Sequence, residues 1–236
     1  MANTRFGGTI LYSGSGANRR WFGDLPQAAT PDYVVQWHDF VEVTDDETNL
    51  YTVVKDSSAT VAIAADVANG RLLLTSAATT NDDGASIQGN EIWLPAAGRT
   101  IWFECRFQLS AAADMDAFVG LTQNFATNPE NILTASNRIG FQINDGDASI
   151  LCKTEAADTE TNTDSGVDAA NATDVTVGFK VIGTSSVEFY VNRQLVATHT
   201  TNIPTTELAF GLFELSGSVT GTMSMSVDYF GVWGTR

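Results

Sequence analysis

Ser186-Val187-Glu188-Phe189-Tyr190-Val191-Asn192-Arg193-Gln194-Leu195-Val196-Ala197-Thr198 is the stretch that decides the fold. Val187, Phe189 and Val191 alternate with Glu188 and Tyr190, the period of two that a strand with one buried face requires. Asn192-Arg193-Gln194 is a short polar break, and Leu195 to Thr198 resumes the strand pattern. The run therefore reads as a β-hairpin. Further on, Val227-Asp228-Tyr229-Phe230-Gly231-Val232-Trp233 carries apolar groups on both faces, as a strand deep in a sandwich does.

The same period recurs elsewhere in the chain. Ile101, Phe103, Cys105, Phe107 and Leu109 alternate with Trp102, Glu104, Arg106 and Gln108, the cleanest alternation in the chain. Ile139, Phe141 and Ile143 repeat it, and Asp145-Gly146 supplies a tight hairpin turn. Shorter runs at Tyr33 to Val43, Asn49 to Val54, Ala59 to Ala64, Arg71 to Thr75, Ser86 to Leu94, Phe118 to Leu121, Val175 to Ile182 and Leu208 to Leu215 read as strands too. Residues 126–138 form a polar loop with one helical turn expected near Pro129. Residues 154–174 hold six acidic and no basic groups. They read as a surface loop or as an edge hairpin whose charge discourages edge-to-edge pairing. Roughly twelve to fourteen short strands with turns between them predict an all-β antiparallel β-sandwich or jelly roll.

Composition agrees. The 236 residues suit one large β-domain, or one domain plus an arm, and 43% apolar residues suffice for its core. No run of about 18 apolar residues exists, so no membrane span is expected, and the N-terminus lacks the apolar segment of a secretory signal. The net charge of −16 makes nucleic acid and anionic membranes poor partners. Cys105 and Cys152 each sit in an apolar strand-like run, where two buried free thiols are the ordinary reading. A disulfide would need their two strands to be close.

Residues 1–32 differ from the domain of residues 33–236. Residues 1–23 contain Arg5, Arg19 and Arg20 and no acid, while residues 24–236 carry a balance of −19. Glycine and serine break every pattern in the segment, yet Phe6, Tyr12, Trp21 and Phe22 lie within it. Such a mixture fits an extended N-terminal arm that orders on docking. The alternatives are an arm folded back on its own domain and a chance excess of charge.

Several segments resemble the concanavalin A-like (laminin G-like) jelly roll. They are Gly70 to Thr75, Gly98 to Glu104, Arg138 to Phe141, Val187 to Asn192 and Val227 to Phe230. In particular they resemble domains of tailed-bacteriophage virion proteins of the capsid decoration type. The resemblance implies a non-enzymatic structural protein, a cement protein on the capsid surface of the virion, assembled in the host cytoplasm. It would bind the major capsid protein and copies of itself as a homo-oligomer. The arm residues Arg5, Phe6, Tyr12, Arg19, Arg20, Trp21 and Phe22 would make that contact. The alternative is a carbohydrate- or receptor-binding module of a phage tail fibre. If Phe103 and Phe107 enter the core, then Trp102, Glu104, Arg106 and Tyr190 face outward. They form either a ligand face or a second small core under a covering segment.

Catalytic chemistry finds little support in the sequence. Glycoside hydrolases of this fold carry a Glu-x-Asp-x-x-Glu run that sets an acid and a nucleophile about 5 Å apart. No such run occurs, and an enzyme is not expected. His38 and His199 lack a triad pattern, and no Cys/His grouping has zinc spacing. Laminin G-like relatives often bind calcium. Asp45-Asp46-Glu47, Asn81-Asp82-Asp83 and Asn144-Asp145-Gly146-Asp147 are rich in oxygens, and calcium needs 6–8 of them from several segments. Such clusters are ordinarily solvated turns. No cofactor is expected, and the loop at Asn81 to Asp83 is the first place to look for calcium.

Overall fold

A computed structural model of the chain describes residues 32–40, 51–56, 58–65, 67–68, 70–76, 83–124, 128–216 and 221–236. Two antiparallel sheets face each other. Sheet A runs β13 (Gln194–His199), β12 (Ser186–Val191), β11 (Val175–Ile182), β6 (Thr100–Leu109), β15 (Ser224–Thr235), β4 (Leu72–Thr75) and β3 (Thr60–Ile63). β1 (Tyr33–His38) pairs with the C-terminal part of β15. Sheet B runs β10 (Thr159–Asp168), β9 (Asp147–Ala156), β8 (Arg138–Asn144), β7 (Met115–Thr122), β14 (Ala209–Ser216), β5 (Gly84–Gln88) and β2 (Thr52–Lys55). Short 3₁₀ segments occupy Ala112–Asp114 and Pro129–Thr134, the latter at the expected helical turn.

The antiparallel sandwich expected from period-two alternation is the fold observed. Phe103, Cys105 and Phe107 point into the core, as do Val187, Phe189 and Val191. Aromatic contacts lock sheet to sheet. Phe141 of sheet B meets Phe189 of sheet A edge-on at 5.4 Å, and Phe210 stacks on Phe230 at 4.4 Å. Each such ring removes its whole apolar surface from water, a stabilisation of about 2–3 kcal/mol per side chain.

Residues 154–174 are resolved in favour of an edge hairpin. β9 extends through Ala156, and β10 pairs with it from Thr159. β10 is polar on both faces and lies at the edge, where its acids oppose further pairing. Cys105 and Cys152 are free and buried, one in each sheet. Burial pushes the Cys152 thiol up to about 12 and raises Cys105 as well, so neither is a nucleophile at neutral pH.

β15 departs from a simple reading. Its apolar groups fall on both faces because of a bulge at Asp228. Val227 pairs with Phe107 and Tyr229 with the next residue, Arg106, so one residue of β15 is extra. An extra residue inverts the alternation. Val227, Phe230 and Val232 enter the core, while Tyr229, Gly231 and Trp233 face outward.

Candidate functional site

The bulge builds the outer face of sheet A. Strand register aligns Trp37 (β1), Gly231 (β15), Glu104 (β6), Gly178 (β11) and Tyr190 (β12) in one row. Trp233, Trp102, Lys180 and Glu188 form the row on one side, and Tyr229, Arg106 and Thr176 the row on the other. Gly231 leaves room for rings. A Cβ there would lie 2.6 Å from the ring of Trp37 and would also collide with Trp233. Trp37 stacks on Tyr229 with centroids 4.9 Å apart and remains 46% exposed.

Trp102 behaves differently. It is 3% exposed and packs with Trp233, Val35 and Tyr190 as a second small core. The ring on this face with surface to offer is therefore Trp37, not Trp102. The Trp102 Nε1–H is buried without a hydrogen-bond partner, and Lys180 Nζ lies 5.8 Å over its ring.

Charge is concentrated beside these rings. Arg106 donates to Asp174 at 2.7 Å and pairs with Asp228 at 3.0 Å. Arg71 donates to the other oxygen of Asp174 at 2.6 Å. The Tyr229 hydroxyl donates to Glu104 at 2.7 Å, and that of Tyr190 to Glu188 at 2.8 Å. Burial, reinforced by the Glu104 carboxylate, holds the Tyr229 hydroxyl well above the usual range. Burial and the neighbouring Asp228 also raise the Asp39 carboxyl. A groove of about 380 Å³ opens here, lined by Arg106, Asp174, Thr176, Asn192, Arg193 and Tyr229.

The β12–β13 turn forms one lip of that groove. Asn192 and Arg193 have φ of 46° and 70°, the left-handed pair of a tight hairpin turn. Two bonds tie it down. The Asn192 N–H donates to the Thr176 carbonyl at 2.8 Å, and the Thr176 N–H donates to Asn192 Oδ1 at 3.2 Å.

The outer face of sheet B is closed. Ser86, Gln88, Thr122, Arg138, Gln142, Lys153 and Glu155 make a polar layer, all of it buried. Pro129–Thr134 packs on this side, where Ile132 and Leu133 meet Phe118 and Phe213. Arg138 donates to Glu155 at 2.7 Å, to Glu160 at 3.1 Å and to the carbonyls of Ile132 and Leu133. Lys153 donates to Glu160 at 2.8 Å. Glu155 and Glu160 stand directly opposite across β9 and β10, a cross-strand spacing of about 5 Å between Cβ atoms.

The structure thus brings Glu104, Arg106 and Tyr190 onto one face with Trp102, which is buried rather than displayed. Trp37, Tyr229, Arg71, Asp174 and Asp228 complete the face, and the sequence reading did not select them. The outward alternation opposite Phe230 and Val232 was the available signal for Tyr229. The arm residues Arg5, Phe6, Tyr12, Arg19, Arg20, Trp21 and Phe22 lie outside the described residues, as do Asp45, Asp46, Glu47, Asn81 and Asp82. Among the described residues no His, Cys, Asp and Glu groups are clustered to hold a metal. Asp147 serves its own turn instead, accepting from the Ser149 N–H and hydroxyl, which lowers its carboxyl from the usual range. His199 spans β13, β9 and β10, with Thr154 2.9 Å from Nδ1 and Thr163 3.0 Å from Nε2. Thr154 gives its single proton to the Thr201 carbonyl. Nδ1 therefore carries the imidazole proton and Nε2 accepts from Thr163.

No protein-family model and no curated protein matches the sequence. Solved structures do share the fold. A protein of unknown function from Shewanella oneidensis MR-1 superposes with a TM-score of 0.62 at 16% identity, covering 89% of this chain and 90% of that one. A Bacillus licheniformis β-glucanase gives 0.61 at 14% identity, covering 84% and 97%. An endo-1,3-β-glucanase from Streptomyces sioyaensis gives 0.61 at 14%, covering 88% and 98%. These likenesses show a concanavalin A-like jelly-roll β-sandwich. They also correct two expectations. The assignment as a non-enzymatic capsid decoration protein had only fold resemblance to carry it, and that resemblance leads to glucanases. The expectation that the chain is not an enzyme is overturned by the same neighbours.

Proposed function

We propose that this chain is a glycan-directed protein that takes a polysaccharide on the outer face of sheet A. One observation carries the reading: the exposed Trp37, stacked on Tyr229, stands beside a groove lined by Arg106, Asp174, Thr176, Asn192 and Arg193. A pyranose ring has an apolar C–H face and a rim of hydroxyls. The first stacks on an aromatic ring. The second requires a few fixed donors and acceptors at the edge of that ring, as ligand sites generally provide. The salt-bridged Arg106 and Asp174 are such fixed groups. Fold likeness to β-glucanases makes β-1,3- and β-1,3-1,4-glucans the first polymers to try. Electrophoresis of the full chain through gels containing each polymer tests the reading. Retardation that Trp37→Ala removes is the expected result. Unretarded migration through a broad polysaccharide panel would overturn it.

Hydrolysis is a second reading, favoured by Glu155 and Glu160. Retaining glycosidases set two carboxyl groups about 5 Å apart, and these two face each other across adjacent strands. Arg138 and Lys153 neutralise the pair, so catalysis there would require a substrate to displace one of these cations. Release of reducing ends from glucan, lost in Glu160→Gln, would establish this reading. Absence of turnover on the polymers that bind would remove it.

A further inference from the structure

The exposed ring and the groove on sheet A lie in one line across the strands. We infer that the ligand is an extended oligosaccharide of at least three sugar units, running perpendicular to those strands. The inference rests on the reading that this face takes a glycan, and it deepens that reading by giving the ligand a length and a direction. Trp37 is on β1, Tyr229 on β15, Arg106 on β6 and Thr176 on β11, and these four strands are hydrogen-bonded neighbours in that order. Tyr229, Arg106 and Thr176 stand directly abreast. The turn residue Asn192 comes next, its N–H bonded to the Thr176 carbonyl.

Distance sets the length. Neighbouring strands lie about 4.8 Å apart. The ring of Trp37 leans over Gly231 of β15, which leaves two spacings, about 10 Å, to the strand of Thr176. A β-linked pyranose advances a chain by about 5 Å, roughly one strand spacing. One sugar on the ring, one over β6 and one against Thr176 therefore span the line, and a single sugar cannot touch both ends. Trp37 does not itself line the groove, so a sugar stacked on it adds to those the groove holds.

The middle of the line is held rigid. Arg106 is paired with both Asp174 and Asp228, and Asp174 with Arg71 as well. These groups hold one another and make the floor, while the contacts that depend on ligand length lie at the two ends. Tyr229 joins the ends. Its ring stacks on Trp37 and also lines the groove, and its bond to Glu104 fixes it. The line is bounded as well. The Asn192-Arg193 turn closes it at β12, and among the described residues no strand pairs with the far edge of β1. A ligand therefore gains contacts up to about five units, one for each strand crossed, and none beyond.

The test is calorimetric titration of the full chain with glucose and with laminari- and mixed-linkage gluco-oligosaccharides of two to six units. Affinity is expected to rise at least about tenfold between two and four units, as two added hydrogen bonds imply. It should level off by about five units, where the line ends. This length series needs no variant. Two substitutions then locate the ligand. Trp37→Ala removes the platform at one end. Thr176→Val removes a hydroxyl at the other and keeps a β-branched residue in β11, and melting temperatures near the native value show that lost binding is not lost folding. Each should weaken ligands of four or more units, Thr176→Val by about three- to tenfold, and neither glucose nor a disaccharide should feel both. A disaccharide bound as tightly as the hexasaccharide, or weakened by both substitutions, overturns the inference while leaving glycan binding in place. So does a long ligand indifferent to Thr176→Val, and so do polymers that retard the chain while no oligosaccharide through six units binds. No binding at any length, with the parent polymers unretarded as well, defeats the glycan reading, and the inference falls with it.

Discussion

Each outer face of the sandwich holds an arginine between two carboxylates, and the two arginines differ in exposure. Arg138 on sheet B grips Glu155 and Glu160 with its side chain 5% exposed. Arg106 on sheet A grips Asp174 and Asp228 with its side chain 42% exposed. The same ion-pair chemistry does different jobs in the two settings. Under Pro129–Thr134 Arg138 and Glu155 are out of water, and each is held because losing its partner would strand the other. On sheet A the Arg106 guanidinium remains partly hydrated, while Asp174 and Asp228 are more deeply set. Arg106 therefore adds little to folding but stays within reach of a ligand.

The comparison can be broken most forcefully at Arg138. Arg138→Met leaves Glu155 without its buried cation and frees two carbonyls that Arg138 satisfies. A loss of about 3–5 kcal/mol is expected from urea unfolding. A loss below about 1 kcal/mol would mean that sheet B is as hydrated as sheet A. Trp37→Ala comes next. Its expected effect is on binding, about tenfold weaker for a stacked sugar, with the melting temperature nearly unchanged. Arg106→Gln should cost about 1 kcal/mol or less in stability while weakening polysaccharide binding in the groove that Arg106 lines. A large destabilisation there would place Arg106 with Arg138 as a structural group.

The smallest effect is a pH dependence located where the two sheets meet. Burial lowers the pKa of His199 from its ordinary value, so the folded protein holds it neutral. The unfolded chain takes up a proton near pH 6.5, the ordinary histidine value. Below that pH the unfolded state binds more protons than the folded state, and stability falls as pH falls towards the folded pKa. His199→Gln should flatten the fall in melting temperature between pH 7.5 and 5.5, conditions chosen around that ordinary value. An unchanged slope would show that His199 does not carry it. The difference between the two proteins also cancels the contribution of Asp39.

What was legible in the sequence was whatever a single strand records. The hairpin at Ser186 to Thr198 could be read because alternation and turn lie in one continuous run. Trp102, Glu104 and Arg106 could be placed opposite Phe103 and Phe107 for the same reason. β10 could not be settled, because a polar edge strand lacks a buried face to impose a period. Nor could the two arginine clusters. Asp228 reaches Arg106 only through a bulge, which appears in sequence as a strand apolar on both faces. Glu155 and Glu160 are near in sequence, but their opposition depends on the turn between them and on register. A search for carboxylates along one strand passes over a pair that forms across two. Exposure was equally hidden: Trp102 and Trp37 are alike in composition, and only packing makes one a core residue and the other a platform.

The most direct test of the account is a calorimetric comparison of three forms of the full chain with whichever polysaccharide retards it. The forms are the native sequence, Trp37→Ala and Glu160→Gln. The native chain and Glu160→Gln are expected to bind alike, while Trp37→Ala binds about tenfold more weakly. Binding that survives Trp37→Ala and is lost in Glu160→Gln would contradict it, and would put the glycan site on sheet B.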